Sequence, residues 1–187
     1  MNVPRIITAP YFVPGITLGW RDGTTLRNAS GPDWIYIDSL RKREGAALGF
    51  IPKDVYISVL ERRRVHNRDR WRYQEVLVTE DNGQLTGFAM TSYHATMANI
   101  FQIVVQQDAR RWHRALLMAD YIEERARALG KAGVKCRVAC DLESNLFWRA
   151  IGYCPLGKVV STWLNQRESA SKRPLWAYEK SFLSSEQ

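Results

Sequence analysis

The stretch "ANIFQIVVQQDARRWHRALLMADYIEERARALGKAGVKCRVAC" (Ala98–Cys140) limits the fold more than any other part of the chain. Its first eight residues are nearly continuously apolar, the mark of a central strand buried on both faces. Trp112, Ala115, Leu116, Ala119, Ile122, Ala126 and Leu129 then recur at helical spacing, which predicts an amphipathic helix over about Arg110–Leu129, ending at Gly130. "VKCRVAC" alternates and sets Val134, Cys136, Val138 and Cys140 on one strand face. Strand, helix and strand in that order form a right-handed parallel crossover. A parallel pair cannot be closed by a tight turn, so this unit requires a sheet with a helix across it.

The remaining segments fit around that unit. "ITLGWRDGTTLRNA" alternates about Asp22-Gly23 and predicts a hairpin, an extension over residues 1–30. "WIYID" (Trp34–Asp38) is aromatic and β-branched and reads as a strand. "SLRKREGAALGFIPKDVYISVLERRR" reads as two short helices broken near Gly49–Pro52, with Pro52 in the first turn of the second. "QEVLVTEDNGQLTGFAMTSY" is two strands joined at Asp81-Asn82-Gly83. After Cys140 come a short helix containing "NLFWRAI" and two strands near "KVVSTWLN" and "LWAYEKSFL". The expected architecture is one domain over residues 1–187, of α/β (α+β) class. Its sheet is mixed and mostly antiparallel, with helices on both faces.

Among 187 residues, 45% are apolar and none form a run long enough for a membrane span, so no membrane partner is expected. The start "MNVPRIITAPYFVPG" has no secretory pattern, and three cysteines suit a reducing compartment, so the expectation is a cytoplasmic protein. The spacing of Cys136 and Cys140 is not that of a zinc site; buried thiols are expected there and no metal. Net charge is +8, and Arg41–Arg72 holds ten Lys and Arg against four Asp and Glu. That surplus of six attracts polyanions, which makes nucleic acid a candidate partner, although a solvated helix face explains it equally.

In "QQDARRWHRALL" (Gln106–Leu117), Arg110, Arg111, His113 and Arg114 crowd the amino end of the long helix, which is already positive. The arrangement becomes favourable if a doubly charged anion sits there, since the free N–H groups of the first turn also point outward. The stretch resembles the acyl-CoA-binding segment of the GNAT superfamily of N-acetyltransferases, whose Gln/Arg-x-x-Gly-x-Gly/Ala pattern falls on Arg110, His113 and Ala115. "NLFWRAIGY" (Asn145–Tyr153) is similar to a second segment of that superfamily. The order of elements from Trp34 to Leu183 agrees as well, and "IDSLRKREGAALGFIPKDVY" and "DLESNLFWRAIGY" look like a bacteriophage or prophage branch.

The resemblance implies acetyl-CoA as co-substrate, an amine of unknown identity as acceptor, and a pyrophosphate held by residues 110–115. The cofactor set it implies is Val104, Val105, Arg110, Arg111, Trp112, His113, Arg114, Ala115, Asn145 and Trp148, with Val104 or Val105 supplying a main-chain N–H to the thioester carbonyl. Trp112 also opens the apolar stripe, which is a core position. His113 replaces a glycine of the pattern, Trp148 a tyrosine used as acid, and Asn99 a glutamate used as base. Asp141 and His94 are the candidate catalytic residues. Asp141 follows a strand end and is a base or a helix N-cap; His94 is a base or a surface histidine. A Mom-type DNA adenine-modifying enzyme on the same fold and a non-catalytic acyl-CoA-binding module are the alternatives, and a homodimer is compatible with the sequence.

Overall fold

The computed structural model describes residues 17–19, 23–45, 47–48, 51–63, 72–160 and 173–182. Its strands are β1 (Thr17–Gly19), β2 (Thr24–Asn28), β3 (Gln74–Asp81), β4 (Gln84–Ser92), β5 (Met97–Val105), β6 (Gly133–Ala139), β7 (Cys154–Val160) and β8 (Pro174–Ser181). The helices are α1 (Trp34–Arg43), α2 (Lys53–Leu60), α3 (Arg114–Ala128) and α4 (Ser144–Ala150). The strands form one sheet in the order β1-β2-β3-β4-β5-β6-β8-β7, antiparallel except between β5 and β6. The mixed α/β architecture expected from the sequence is therefore present, with α3 as the crossover between its two parallel strands.

Helices cover both faces. Met118, Ile122 and Ala126 of α3 and Trp148 of α4 pack with Ala89, Ile100, Cys136 and Tyr178 on one side. Ile37 and Leu40 of α1 and Val55, Tyr56 and Leu60 of α2 pack with Val76, Val78, Phe88 and Val104 on the other. The turn at Asn82-Gly83 is tight, with φ of 51° and 82°, the left-handed pair that a two-residue hairpin requires. β2 joins the main sheet through β3 and buries Leu26. Residues 1–16 of the proposed extension lie outside the described residues.

Trp34–Asp38 is not a strand but the start of α1. The cause lies upstream, in "SGPD". The Asp33 carboxylate accepts hydrogen bonds from the Ser30 N–H (2.7 Å) and hydroxyl (3.0 Å), which closes a capping box over Gly31–Asp33. Ile37 and Leu40 then bury at helical spacing, and this packing overrides the β propensity of Trp, Ile and Tyr. The break before the second helix does fall at Pro52.

The long helix begins at Arg114 rather than about Arg110, after a 3-10 turn at Gln107–Ala109. Trp112 is therefore not part of its buried stripe but 66% exposed, and Leu129 is exposed beyond its end. β7 begins at Cys154, earlier than "KVVSTWLN", and residues 161–172 lie outside the described residues.

Candidate functional site

β5 and β6 pair only from Met97 opposite Gly133 to Ile100 opposite Cys136. Beyond that point β5 runs on to Val105 and β6 to Ala139 without joining. The parting coincides with a bulge: on β4, Thr91 pairs with Ile100 and Met90 with Gln102, which leaves Phe101 extra. Phe101 is 41% exposed where the strands separate. A wedge thus opens in the middle of the sheet, at the carboxyl ends of two parallel strands, the position where open α/β sheets hold ligands.

The ladder decides which backbone groups face the wedge. The Gln106 N–H donates to the Thr86 carbonyl at 2.8 Å. Alternation along an antiparallel pair then turns Val104 toward β4, and Ile103 and Val105 away from it. The Val104 N–H is therefore turned toward the ladder, and its side chain is buried at 5% exposure. Val105 faces the opening, and Ile103, absent from the sequence reading, joins it.

At the amino end of α3 the chain bends sharply. Arg111 and His113 have φ of 67° and 62°, left-handed values that favour glycine. The glycine position of the family pattern thus keeps a glycine-like backbone although a histidine stands there. The first N–H bonded within the helix is that of Leu117, to His113 O at 2.9 Å. Those of Arg114, Ala115 and Leu116 have no carbonyl one turn behind them and remain donors for an anion.

The arginines divide. Arg111 is exposed and makes no ion pair or side-chain hydrogen bond among the described residues. Arg110 bridges the Glu44 carboxylate (2.9 Å) and the Val105 carbonyl (3.1 Å), which ties α1 to the mouth of the wedge. Arg114 is 7% exposed and turned back onto Asp81 at 2.9 Å, so it anchors the β3–β4 hairpin. His113 is exposed and Ala115 partly buried in the first turn.

The second family segment has a structural role. Asn145 Nδ2 donates to the carbonyls of Ala139 (2.8 Å) and Leu142 (2.7 Å), and Oδ1 accepts from the Tyr178 hydroxyl (3.0 Å). Asn145 thus braces the turn from β6 into α4. Trp148 is 6% exposed and packed edge-on against Phe147 and Tyr153, whose ring centres lie 5.2 and 5.0 Å away.

His94 lies apart from the wedge. It follows Ser92, which pairs with Asn99, whereas the wedge mouth is at Val105. Six strand steps, roughly 20 Å, separate them. His94 stacks on Tyr73 at 4.6 Å, at the other end of the sheet. Asp141 does stand at the carboxyl end of β6 but is not the cap of α4, which is Glu143. Both its carboxylate oxygens lie 2.8 Å from Arg173 Nη2, and this partner holds its pKa below the usual carboxylate range.

Around the mouth stand further polar groups that the sequence did not single out. The Tyr36 hydroxyl reaches Gln106 Oε1 at 3.4 Å, and Gln106 Nε2 donates to Asp108 at 3.1 Å. Burial pushes the Tyr36 phenol up to about 12, so it stays protonated. Of the basic segment, Arg41 and Lys42 both pair with Asp38 and Arg63 pairs with Glu61, while residues 64–71 lie outside the described residues. No metal-binding cluster of His, Cys, Asp and Glu occurs among the described residues, and no described helix is long and apolar enough to cross a membrane.

Solved structures of acetyltransferases, one of them described as of the GNAT family, have the same fold. YncA, a putative acetyltransferase from Salmonella typhimurium solved with its cofactor acetyl-CoA, superimposes with a TM-score of 0.67 at 15% identity, over 88% of this chain and 97% of that one. The ribosomal-protein-S18-alanine N-acetyltransferase of Escherichia coli gives 0.64 at 13% identity, over 88% and 98%. A putative GNAT-family acetyltransferase from Desulfovibrio desulfuricans gives 0.61 at 11% identity, over 84% and 98%. No family model matches the sequence, and no curated protein matches it.

Proposed function

We propose that the chain is an N-acetyltransferase that moves an acetyl group from acetyl-CoA to a primary amine. The observation that carries this reading is the union of two features at one place. The wedge exposes the Ile103 and Val105 edge of β5, and the left-handed bend at Arg111 and His113 presents N–H donors beside the Arg111 guanidinium, which has no partner among the described residues. A pantetheine arm lies in the wedge and bonds the free strand edge. A diphosphate sits on the amino end of α3 with Arg111, and Arg110 joins it on release from Glu44.

The Val105 N–H polarises the thioester carbonyl and bonds the oxygen as charge develops on it. A neutral amine held beside the carbonyl carbon forms the C–N bond. The C–S bond then breaks, the sulfur leaves with the electron pair as thiolate, and the amine proton passes to it through water. Positioning contributes several kcal/mol to such a step. Asp141, depressed by Arg173, is too weak a base to take a proton from an ammonium. Trp148 has no ionisable proton to give and is buried, so no side chain of the usual pair takes part. On the same footing stands a phage or prophage branch acting in a bacterial cytoplasm, which the segments at 37–56 and 141–153 support.

Calorimetry with acetyl-CoA tests the reading. The double variant Arg110→Ala/Arg111→Ala should bind at least about 2 kcal/mol more weakly, roughly thirtyfold, with a melting temperature lowered only slightly by loss of the exposed Arg110–Glu44 bridge. Arg114→Ala should instead lower the melting temperature. Equal affinity in the double variant removes the diphosphate from this end of α3. Thiol release with an amine panel then reports the transfer itself.

A further inference from the structure

One face of the C-terminal arm of the sheet is covered by no described helix, and the wedge opens onto it. Ile100 and Cys136, the last pair between β5 and β6, both belong to the core that includes α3. Alternation turns the pair before them, Asn99 and Lys135, to the opposite face. α1 and α2 lie on that face, but their core takes strand residues from β3, β4 and β5 and none from β6, β7 or β8. Past the last pair, the next residues on this face are Phe101 of β5 and Arg137 of β6, one on each lip of the wedge. Both are exposed. Phe101 is the extra residue of the bulge, and bulges beside ligand sites re-aim a side chain.

The surroundings of Arg137 set it apart. Across the β6–β8 ladder it stands opposite Ala177, and along its own strand face its neighbours are Lys135 and Ala139. It makes no ion pair or side-chain hydrogen bond among the described residues. Of the carboxylates on neighbouring positions, Glu179 stands opposite Lys135, and Asp141 is held by Arg173. Arg137 thus offers its planar fork to a ligand, and the matching group for that fork is a carboxylate bound by two parallel hydrogen bonds. Phe101 offers an apolar surface across the opening.

The cofactor reading decides which side of the wedge is free. α3 packs on the Ile100 face, so acetyl-CoA anchored at its amino end leaves the face of Phe101 and Arg137 to the acceptor. Resting on that reading, we propose that the acceptor is an amino acid. Arg137 holds its carboxylate, Phe101 packs against its carbon skeleton, and its amine meets the thioester carbon in the wedge. The bonds made and broken are those of the transfer above. Pairing the carboxylate with Arg137 also cancels the negative charge that favours the ammonium form. More of the neutral nucleophile is then present where no side chain acts as base. The same cation repels an acceptor with several positive charges, such as a polyamine.

Thiol release from acetyl-CoA tests this on the full chain, with each protein amino acid set beside the amine that lacks its carboxylate. At least one amino acid should give a kcat/KM about tenfold or more above its decarboxylated partner. Arg137→Ala should lower that value about tenfold or more, chiefly through KM, without changing any turnover of the decarboxylated amine. Arg137→Lys should recover part of the loss. Lys135→Gln, one step along the same face, should change kcat/KM by no more than about twofold, which separates a contact from a general positive field. Calorimetry with acetyl-CoA keeps the acceptor and the cofactor apart. Equal use of the paired amines, indifference to Arg137→Ala, or no acetylated amino acid in a protein that binds acetyl-CoA would each overturn the acceptor and leave the cofactor reading standing. Absence of acetyl-CoA binding would overturn both. Arg137 is exposed, so its variants fold, and an unchanged melting temperature confirms it.

Discussion

His113 shows how one backbone angle can outlast the residue that best suits it. A left-handed conformation costs a side-chain-bearing residue about 1–2 kcal/mol, because Cβ crowds the following carbonyl. Glycine escapes that cost and gives back part of the gain as unfolded-chain entropy. His113→Gly should therefore stabilise the protein by about 0.5–1 kcal/mol, which raises the melting temperature by about 1–4 °C in a chain of this size. His113→Ala keeps the Cβ and should give no such rise. A thermal melt that falls with glycine would mean the bend is not left-handed at this position. The neighbouring arginines make the companion point: Arg111 and Arg114 are three residues apart, yet one faces water and the other is buried on Asp81. Charge alone does not separate an anion ligand from a hairpin anchor.

The amino end of α1 depends on one carboxylate. Asp33 accepts from Ser30 and is bridged by Arg27 Nη1 at 2.7 Å and Nη2 at 2.9 Å. Burial pushes its pKa up, but the bonds from Arg27 and Ser30 outweigh this, and the net value lies below the ordinary 3.8. A carboxylate depressed in the folded state binds fewer protons there than in the unfolded chain. The stability it contributes is complete above the unfolded value of 3.8 and is lost as the pH falls through the lower folded value. Asp33→Asn should thus cost about 2 kcal/mol near neutral pH, and the gap to wild type should close below about pH 4 in denaturant melts taken across pH. A gap that stays constant down to pH 2 would assign the loss to shape rather than charge. This cap also explains why α1 was not legible in sequence. The helix is specified by Ser30–Asp33, while "WIYID" itself has strand-forming residues whose burial at Ile37 and Leu40 emerges only against the sheet. The hairpin at Asn82-Gly83 and the parallel crossover were legible because turn chemistry and periodicity are local. Trp148 and Asn145 were not: their motif marks a position in the family, and only packing shows that one fills the core and the other braces a turn. The bulge at Phe101 leaves no trace in the pattern of apolar residues.

Taken whole, the molecule is two arms of sheet, β1 to β5 and β6 to β8, joined by four residue pairs and by α3. The pairs begin at Gly133, opposite Met97 of β5 and Ser181 of β8, and the wedge opens after the fourth of them, Ile100 with Cys136. A Cβ at Gly133 would collide with the Lys180 carbonyl oxygen of β8 and come within 2.7 Å of Met97 Cε. Methionine can move aside, but a strand carbonyl cannot without shifting its ladder. Gly133→Ala should therefore destabilise by about 2 kcal/mol, a fall in melting temperature of roughly 4–8 °C. The same displacement, at the closed end of the four-pair ladder, tilts β6 against β5 and so changes the wedge beyond Ile100 and Cys136. A ligand bound only to the folded state raises stability by RT ln(1 + [L]/Kd), about 2.7 kcal/mol at a hundred times Kd. Acetyl-CoA should accordingly raise the melting temperature of the wild type clearly, and that of Gly133→Ala by much less at the same concentration. If the variant melts lower yet keeps the full acetyl-CoA shift, the spacing of the arms is set elsewhere, by α3 rather than by the closed end of the ladder.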